Sequence, residues 1–391
     1  DRWYRSQPAF AEDPQALLED GAVYPQRGQF GRYVAQRFAE EARASAGRLT
    51  HLREQALSIH HGEVVTDSGR RLSADLLVLA ISHPPPSLPT LTMPFATHPA
   101  LIANPWRVSV LEAIAPEASV AIVGTGLTMA DTVATLTRLG HRGPITAFSR
   151  RGLLSRSNLS GSGDPWPGEY DRGSLRQRLR QIREDIARAE QQGLAWQVVM
   201  DAVRNQGQRI WQGLTVADRQ RFLRHLRSYW DVHRYRIAPQ VAGVIEQRQR
   251  DGSLRVLAAR LTALEGDAQR LTLTLALRYG EAQRVSADHV ILTTGPAHGA
   301  LTDSQPLLRQ LSQDGLIRAD AFGLGLDVDL RSRAIGREGQ ANPKLLVSGP
   351  AARARFGELM GLPQVADHAA DVAAEALQTL GVKQSVRCPA F

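Results

Sequence analysis

The chain has 391 residues, 43% hydrophobic and 22% charged, which allows a packed core and is too long for one ordinary domain. Its net charge is +8, nearly all from arginine, since Lys344 and Lys383 are the two lysines. No apolar run reaches the roughly 20 residues of a membrane span, and the single cysteine, Cys388, excludes an internal disulfide and a cysteine-rich metal site. We expect a cytoplasmic protein with no membrane segment and no metal.

The positive charge raises the question of a nucleic-acid partner. A basic surface attracts nucleic acids, but it attracts anionic cofactors as well. Neither a zinc-finger spacing nor an RNA-binding aromatic motif accompanies it. We therefore expect a small-molecule substrate and no nucleic-acid partner. His60, His61 and His83 lack partners at metal-ligand spacing and are interpreted as ordinary side chains.

Two segments of the chain look alike. Residues 73–82 read SADLLVLAIS, and residues 286–295 read SADHVILTTG. Their unbroken apolar runs are typical of parallel strands that are covered on both faces. Alternating, turn-broken sequence precedes each of them and predicts an antiparallel meander. The repeated unit of meander, buried strand and turn is expected for two related nucleotide-binding domains.

Residues 119–133, SVAIVGTGLTMADTV, predict a buried strand, a glycine turn and a helix over residues 128–139. The first glycine suits the tight turn, and the second lets the backbone approach a pyrophosphate at the positive end of the helix dipole. The third glycine of the usual pattern is missing, because Met129 and Ala130 stand there. The alternative is a plain strand that meets a helix. The predicted dinucleotide contacts are Gly124, Thr125, Gly126, Leu127 and Thr128.

The next predicted strand, PITAFSRRG, ends in Arg150 and Arg151. An acidic residue at this position would bind the ribose hydroxyls of NAD, whereas arginine suits the 2′-phosphate of NADP. We therefore predict NADP, with NAD as a possible substitute. The alternative is a pair of surface arginines at a strand end.

Residues 174–236 carry apolar side chains at helical spacing among arginine, glutamine and glutamate, and they predict a helical insert. The insert ends in WDVHRYR, and here His233, Arg234 and Arg236 could bind an acidic substrate or a cofactor phosphate. The alternative is a helix end with Trp230 in the core and the arginines in solvent.

Five stretches together carry a resemblance to a known family. They are IVGTGLTMADTV, FLRHLRSYWDVHRYRIAP, VILTTGP, DGLIRADAFGLGLDVD and LLVSGP. The chain resembles the bacterial FAD-NAD(P)-binding family of flavoprotein oxidoreductases over nearly its whole length. It is similar, more distantly, to class B flavin monooxygenases and amino-acid N-hydroxylases. The resemblance implies an α/β fold with two Rossmann-like domains, an FAD-type domain interrupted by an NADP-type domain, with antiparallel meanders and a helical insert.

The resemblance also implies domain boundaries. Residues 1–100 would begin the FAD-type domain, residues 101–300 would form the NADP-type domain with its insert at about 174–236, and residues 301–391 would complete the FAD-type domain. The family opens with a strand and a Gly-x-Gly-x-x-Gly turn that hold FAD, and residues 1–118 contain no such motif. We expect that the first βαβ unit of the FAD-type domain is missing from this chain.

Cofactor contacts are implied at two turns and at the start of the last helix, and the flavin site is implied at the second turn and at that helix. That helix is predicted from about residue 363 to residue 380, with its dipole facing the pyrimidine edge of the flavin. The implied contacts are Thr294, Gly295, Gly349, Pro350, Gly361, Leu362, Pro363 and Gln364.

The resemblance implies an oxidoreductase that uses NADPH and FAD, with a monooxygenase as one form of it. The alternative is a non-catalytic NADP(H)-binding sensor or scaffold. The sequence identifies no catalytic residue, since hydride transfer to a flavin needs little from side chains.

Overall fold

The computed structural model describes residues 1–382 except 85, 87, 160 and 162. The described residues therefore exclude Lys383 and Cys388. They also exclude the end of the predicted C-terminal part of the FAD-type domain, residues 301–391. Within the described part, every helix is too short or too polar to cross a lipid bilayer.

The described strands form three sheets. The strands are β1 Ala56–His60, β2 Glu63–Thr66, β3 Arg71–Ser73, β4 Leu77–Leu79, β5 Leu101–Ile102, β6 Val120–Val123, β7 Ile145–Ser149, β8 Leu254–Gly266, β9 Leu271–Leu277, β10 Ala282–Ala287, β11 His289–Leu292, β12 Arg333–Ile335 and β13 Ala341–Val347. Strands β1-β2-β3 form an antiparallel meander, the large sheet has the order β10-β9-β8-β7-β6-β11-β5, and the third sheet has the order β12-β13-β4.

Helices cover the sheets and build the insert. The α-helices are α1 Arg2–Arg5, α2 Pro8–Ala11, α3 Arg27–Ala44, α4 Val108–Glu112, α5 Leu127–Arg138, α6 Leu175–Gln191, α7 Gln197–Asn205, α8 Gly207–Gln212, α9 Val216–Arg221, α10 Arg227–Arg234, α11 Pro239–Arg250, α12 Pro306–Gln313, α13 Arg353–Phe356 and α14 Gln364–Thr379. A π-helical turn, Phe222–Leu226, joins α9 to α10. The predicted helices at 128–139 and 363–380 are confirmed as α5 and α14.

The large sheet is parallel at its centre. Strands β5, β11, β6, β7 and the first part of β8 run parallel, whereas β8, β9 and β10 are antiparallel. Helices α5 and α11 pack on one face, and the apolar residues of β9 help to cover the other. Ile122 and Ile291 are therefore fully buried, as the unbroken apolar runs predict.

The two similar segments differ in their surroundings. Each follows an antiparallel meander, which confirms that prediction for β1 to β3 and for β8 to β10. Strand β11 lies between β6 and β5, but β4 is a short strand at the edge of its sheet, and Val78 is 43% exposed. Burial on both faces is therefore a wrong expectation for residues 73–82, because Leu79 is buried on one face of β4 whereas Val78, on the opposite face, is exposed.

The predicted insert at 174–236 is confirmed as helices α6 to α10. Ser174 and Gln177 form a capping box that starts α6. The insert has a core of its own, built around Tyr170, Val199 and Val203. The indole Nε1 of Trp211 donates to the carbonyl oxygen of Ala354 at 2.8 Å, so the insert also packs on the C-terminal part of the chain.

Candidate functional site

Strand β6 lies where the order of the parallel strands changes direction. The next strand in sequence, β7, lies on one side of it, and β11 lies on the other. A crevice forms at the carboxyl ends of strands at such a switch point, and open α/β sheets bind ligands there. The turn from Gly124 to Gly126 leaves β6 at this point and leads into α5.

The two glycines of this turn have different surroundings. Gly124 has φ +119°, and a Cβ there would lie 2.5 Å from Thr293 Oγ1 and 2.8 Å from the Thr293 carbonyl oxygen. This glycine is needed because the chain passes very close to the end of β11. At Gly126 no atom of the described residues lies within 4 Å of the Cβ position, and none of their side chains caps α5. The start of α5 therefore offers backbone N–H groups next to open space, an arrangement that suits an anion.

The other predicted contacts of the turn point in different directions. Thr125 is buried, and its hydroxyl donates to the Leu153 carbonyl oxygen at 2.6 Å and lies 2.8 Å from Ser149 Oγ. Its side chain fastens the turn to the end of β7, so its backbone alone is available to a ligand. Leu127 packs on the core beneath α5, and Thr128 is half-buried in the first turn of the helix.

The two arginines after β7 also differ. Arg150 is exposed, whereas Arg151 is half-buried with its guanidinium carbon 4.8 Å from the centre of the Tyr229 ring. Arg151 is therefore held against the insert by a cation–π contact. Arg150 is the better placed of the two to meet a phosphate that arrives from solvent.

A second cluster lies where three chain crossings meet. His83 follows β4, His298 follows β11, and Arg353 follows β13. The crossings touch, because Pro86 and Pro296 form an antiparallel bridge and the rings of His83 and His298 lie 5.3 Å apart at 81°. We call His83, His298 and Arg353 the junction cluster.

The junction cluster keeps several buried polar atoms without a partner. His298 is 9% exposed, and neither of its ring nitrogens has a hydrogen-bond partner among the described residues. Arg353 is 8% exposed, its Nη1 donates to Met360 Sδ at 3.1 Å, and its Nε is unpartnered in the same part of the chain, as is Nδ1 of His83. Each such buried group costs about 1–3 kcal/mol.

Another buried histidine shows how the chain normally satisfies such a ring. The Gly349 N–H donates to His368 Nδ1 at 3.0 Å, and His368 Nε2 lies 2.9 Å from Ser332 Oγ. Both nitrogens of His368 are therefore used inside the fold. The contrast with His298 shows that the junction cluster has polar atoms available to water or to a polar ligand.

Burial sets the charge state of the cluster. Burial, followed by the nearby positive charges of Arg353, lowers the pKa of His298 to about 3. Burial and then Arg353 also lower the pKa of His83. Both rings are neutral near pH 7, and a neutral imidazole presents one donor and one acceptor. The pKa of Arg353 is lowered by burial as well.

The end of helix α10 lies close to Arg353 of the junction cluster. Burial raises the pKa of the Asp231 carboxyl. The positive charges of Arg227 and Arg353 oppose this shift, and the negative charge of Glu358 adds to it. Burial raises the pKa of Tyr235 to about 12, so its phenol stays protonated near neutral pH. The phenol of Tyr235 can therefore donate a hydrogen bond close to the charged groups of Asp231 and Arg353.

The predicted substrate residues at the end of α10 all have partners inside the fold. Arg234 is buried and ion-paired with Glu358. Arg236 is paired with Asp201, and Nδ1 of His233 lies 2.7 Å from the Tyr229 carbonyl oxygen. The alternative with the arginines in solvent is wrong, because both guanidinium groups are buried against carboxylates. Their role in substrate binding stays a prediction.

The other predicted cofactor contacts lie after β11, after β13 and before α14, and they do not form a single group. Thr294 is exposed and Gly295 has φ +79° with open space at its Cβ position. Gly349 is buried, and Pro350, half-buried, follows it in the turn after β13. Gly361 approaches Arg234, whose Nη2 lies 3.8 Å from its Cβ position.

The remaining three contacts start α14. Leu362 and Pro363 are exposed, and Arg204 bonds the Leu362 carbonyl oxygen and Gln364 Oε1, the latter at 3.2 Å. The side chain of Gln364 therefore already has a partner in the insert. A flavin-binding role for these residues stays a prediction.

Sequence reasoning missed the junction cluster. The sequence alone marks His83 as an ordinary side chain and does not distinguish His298 or Arg353 from other residues of their type. A signal existed for the histidines, since each follows one of the two similar apolar segments by a few residues. No comparable signal marks Arg353, which is one of many arginines.

Comparisons with known proteins agree with this architecture. A family model described as FAD-NAD(P)-binding matches residues 1–84. A search of curated proteins yields no match. The resemblance to FAD-NAD(P)-binding proteins that the sequence indicates is confirmed by the family model.

Solved structures extend the likeness to the whole fold. L-lysine 6-monooxygenase from Pseudomonas syringae has a TM-score of 0.60 at 16% identity, covering 99% of this chain and 81% of its own. Ornithine hydroxylase from Pseudomonas aeruginosa has a TM-score of 0.60 at 17% identity, covering 92% and 78%. An ornithine N-hydroxylase from Kutzneria sp. 744, in a structure with reduced FAD, NADP⁺ and L-ornithine, has a TM-score of 0.52 at 14% identity, covering 90% and 80%. The predicted α/β fold class is confirmed.

Proposed function

We propose that this protein is an NADPH-dependent flavoprotein oxidoreductase of the monooxygenase type. The observation that carries the proposal is the junction cluster, where buried polar atoms of His298 and Arg353 have no partner among the described residues. The cluster lies a few residues along the chain from Thr293, which touches the glycine turn. A nucleotide-type turn and a cluster of buried polar side chains therefore lie near each other along the chain.

The glycine turn would hold the pyrophosphate of NADPH. The amide hydrogens at the start of α5 meet the phosphate oxygens, and the absence of a side chain at Gly126 leaves room for them. Arg150, exposed at the end of β7, would bind the 2′-phosphate. This arrangement favours NADP over NAD.

The junction cluster fits the polar edge of a flavin. Bound FAD supplies the chemistry, which is the acceptance of a hydride from NADPH and the passage of electrons to dioxygen or another acceptor. The neutral rings of His83 and His298 offer donors and acceptors to carbonyl and N–H groups. The guanidinium of Arg353 stabilises negative charge placed beside it, and this favours the reduced state of a flavin.

Helix α10 would close the substrate side of the pocket. Its Asp231 and the Tyr235 phenol, which keeps its proton near pH 7, can orient a polar small molecule. The names of the similar solved structures make amino acids such as lysine and ornithine the first substrates to test.

The experiment is an NADPH-oxidation assay on the purified protein with added FAD. We expect a yellow complex whose colour bleaches on addition of NADPH and returns with consumption of dioxygen. A panel of amines and amino acids then separates hydroxylated product from hydrogen peroxide. NADP binding without turnover with any acceptor would overturn the proposal and support the non-catalytic alternative.

A further inference from the structure

A cavity lies at the amino ends of β7 and β8, away from the glycine turn at the carboxyl end of β6. Helix α5 begins at the turn and ends at this cavity, which has a volume of about 700 Å³. Its walls are the ends of α5 and α11, the residue before β8 and the N-terminal segment. The lining residues used below are His141, Gln240, Arg248, Asp251 and Gln15. None of them belongs to the crevice of the proposed cofactor site.

Arg248 is a buried guanidinium in the wall of this cavity. It is 6% exposed, and it forms no ion pair with any carboxylate of the described residues. Its Nη2 donates to the His141 carbonyl oxygen, while its Nη1 has no partner in the described part of the chain. The carboxylate of Asp251, which lines the same cavity, attracts Arg248 but forms no ion pair with it within 4 Å among the described residues. Nη1 of Arg248 is therefore left to donate to an acceptor that carries negative charge.

His141 and Gln240 offer acceptors beside it. His141 is 4% exposed, and its Nε2 lies 2.9 Å from the Ala118 carbonyl oxygen, which can only accept. Nε2 therefore carries the proton, and Nδ1, which has no partner among the described residues, is a bare acceptor. Burial lowers the pKa of His141 and keeps the ring neutral.

Gln240 completes the set. Its Nε2 donates to the carbonyl oxygens of Gln15 and Tyr24, both at 3.3 Å, and this fixes the orientation of the amide. Its Oε1 is then an acceptor, again without a partner in the described structure. The three cavity residues together present one cationic donor and two neutral acceptors.

We propose that this cavity is a binding site for a small hydroxylated anion, whose phosphate or carboxylate accepts from Arg248 and whose hydroxyls donate to His141 and Gln240. The volume is within the range of small-molecule sites. The anionic group and the hydroxyls are both needed, because each satisfies a different buried atom.

Calorimetric titration tests the proposal on the full chain with saturating NADP, which keeps the nucleotide turn filled. Ribose 5-phosphate and gluconate are the two probes, and their relative affinities decide between a phosphate and a carboxylate. We expect saturable binding of at least one of them, and much weaker binding of ribose and of inorganic phosphate, which each lack one of the two groups. No saturable binding of either probe, or binding that appears only when NADP is left out, would overturn the proposal.

Two variants locate the site. Arg248→Lys removes the unpartnered donor, and we expect about ten-fold or greater loss of probe affinity. Gln240→Glu places a negative charge beside the anion and serves as the second variant if Arg248→Lys does not fold. Arg250→Lys, exposed on the same helix, is the matched control and should bind as the parent does. Equal affinity in all of these proteins would place the ligand elsewhere and refute the assignment.

Discussion

At the scale of single residues, Gly124 and Gly126 look equivalent in the sequence but have different reasons to be glycine. Gly124 has a positive φ and lies against Thr293, so a side chain would collide with protein. Gly126 has an ordinary φ and faces open space, so a side chain there would collide only with a ligand. The structural contribution of the turn therefore comes from the first glycine, and the binding contribution comes from the second.

Gly126→Val tests the ligand role of this space. The added branched side chain enters the region next to the start of α5, and we expect NADP affinity to fall by at least about ten-fold, or about 1.4 kcal/mol. The matched control is Gly28→Val in α3, which also meets no atom within 4 Å. Fluorescence titration with NADP measures the effect. Unchanged affinity in the Gly126 variant would contradict the nucleotide assignment.

Arg150→Ala tests the choice of cofactor. Loss of a charge-assisted hydrogen bond should weaken NADP by about 1.5–3 kcal/mol and leave NAD nearly unchanged. Arg138→Ala, exposed at the far end of α5, is the control. Titrations with both dinucleotides give the ratio. An equal loss for NAD and NADP would refute the 2′-phosphate contact.

His298 predicts a pH dependence of stability. In the folded protein its pKa is about 3, below the ordinary value of 6.5. As the pH falls from 6.5 towards 3, His298 therefore takes up a proton in the unfolded chain but not in the folded protein. The free energy of unfolding therefore decreases as the pH falls from about 6.5 towards 3, by at most about 1.4 kcal/mol per pH unit. His298→Leu should flatten this part of the curve.

Urea unfolding at several pH values between 7 and 4 measures this difference. His225→Leu, which changes an exposed histidine, should retain the slope of the parent protein. Parallel curves for the parent and His298→Leu would show that His298 is not held neutral by burial.

At the scale of elements, the helical insert is joined to the C-terminal part of the chain by buried polar contacts. Trp211 donates to Ala354, Arg204 donates to Leu362, and Arg234 pairs with Glu358. The sequence predicts the helices of the insert, since their apolar spacing is local information. It does not predict this docking, because the partners lie more than 100 residues apart.

Arg234→Met tests the buried ion pair. The change leaves the Glu358 carboxylate buried without its cation, and we expect a loss of about 3–5 kcal/mol in the free energy of unfolding. The double variant Arg234→Met with Glu358→Leu should recover most of the loss, because it buries no unpaired charge. Arg224→Met, exposed in the same insert, is the control. Urea denaturation of the four proteins measures the free energies of unfolding, and a double variant no more stable than Arg234→Met would contradict the expected recovery.

At the scale of the whole molecule, many of the arginines that produce the +8 charge are paired with carboxylates. Examples are Arg236 with Asp201 and Arg318 with Asp327. Others, such as Arg248 and Arg353, are buried. Paired and buried charges contribute little to a surface that could bind nucleic acid.

We therefore expect no saturable binding of a labelled oligonucleotide at low salt. Non-specific nucleic-acid binding depends on a surface that neutralises several phosphates at once and falls steeply with added salt. A fluorescence-anisotropy titration in low and moderate salt measures it. Tight binding that weakens steeply with salt would contradict the expectation.

The sequence by itself determined the local features. Residues 119–133 specify a strand, a glycine turn and a helix, and residues 174–236 specify helices, because apolar period and turn residues act over a few positions. The continuous apolar runs also indicated a parallel sheet, and the family resemblance placed it in a flavoprotein fold.

Only the tertiary structure decided which side chains meet. It assembled His83, His298 and Arg353 from three distant crossings, made β4 an edge strand, and buried Arg234 against Glu358. These outcomes depend on burial and on contacts between elements far apart in the chain. A periodic pattern of apolar residues does not specify burial or long-range contacts. The clusters of buried polar side chains therefore follow from the tertiary structure alone.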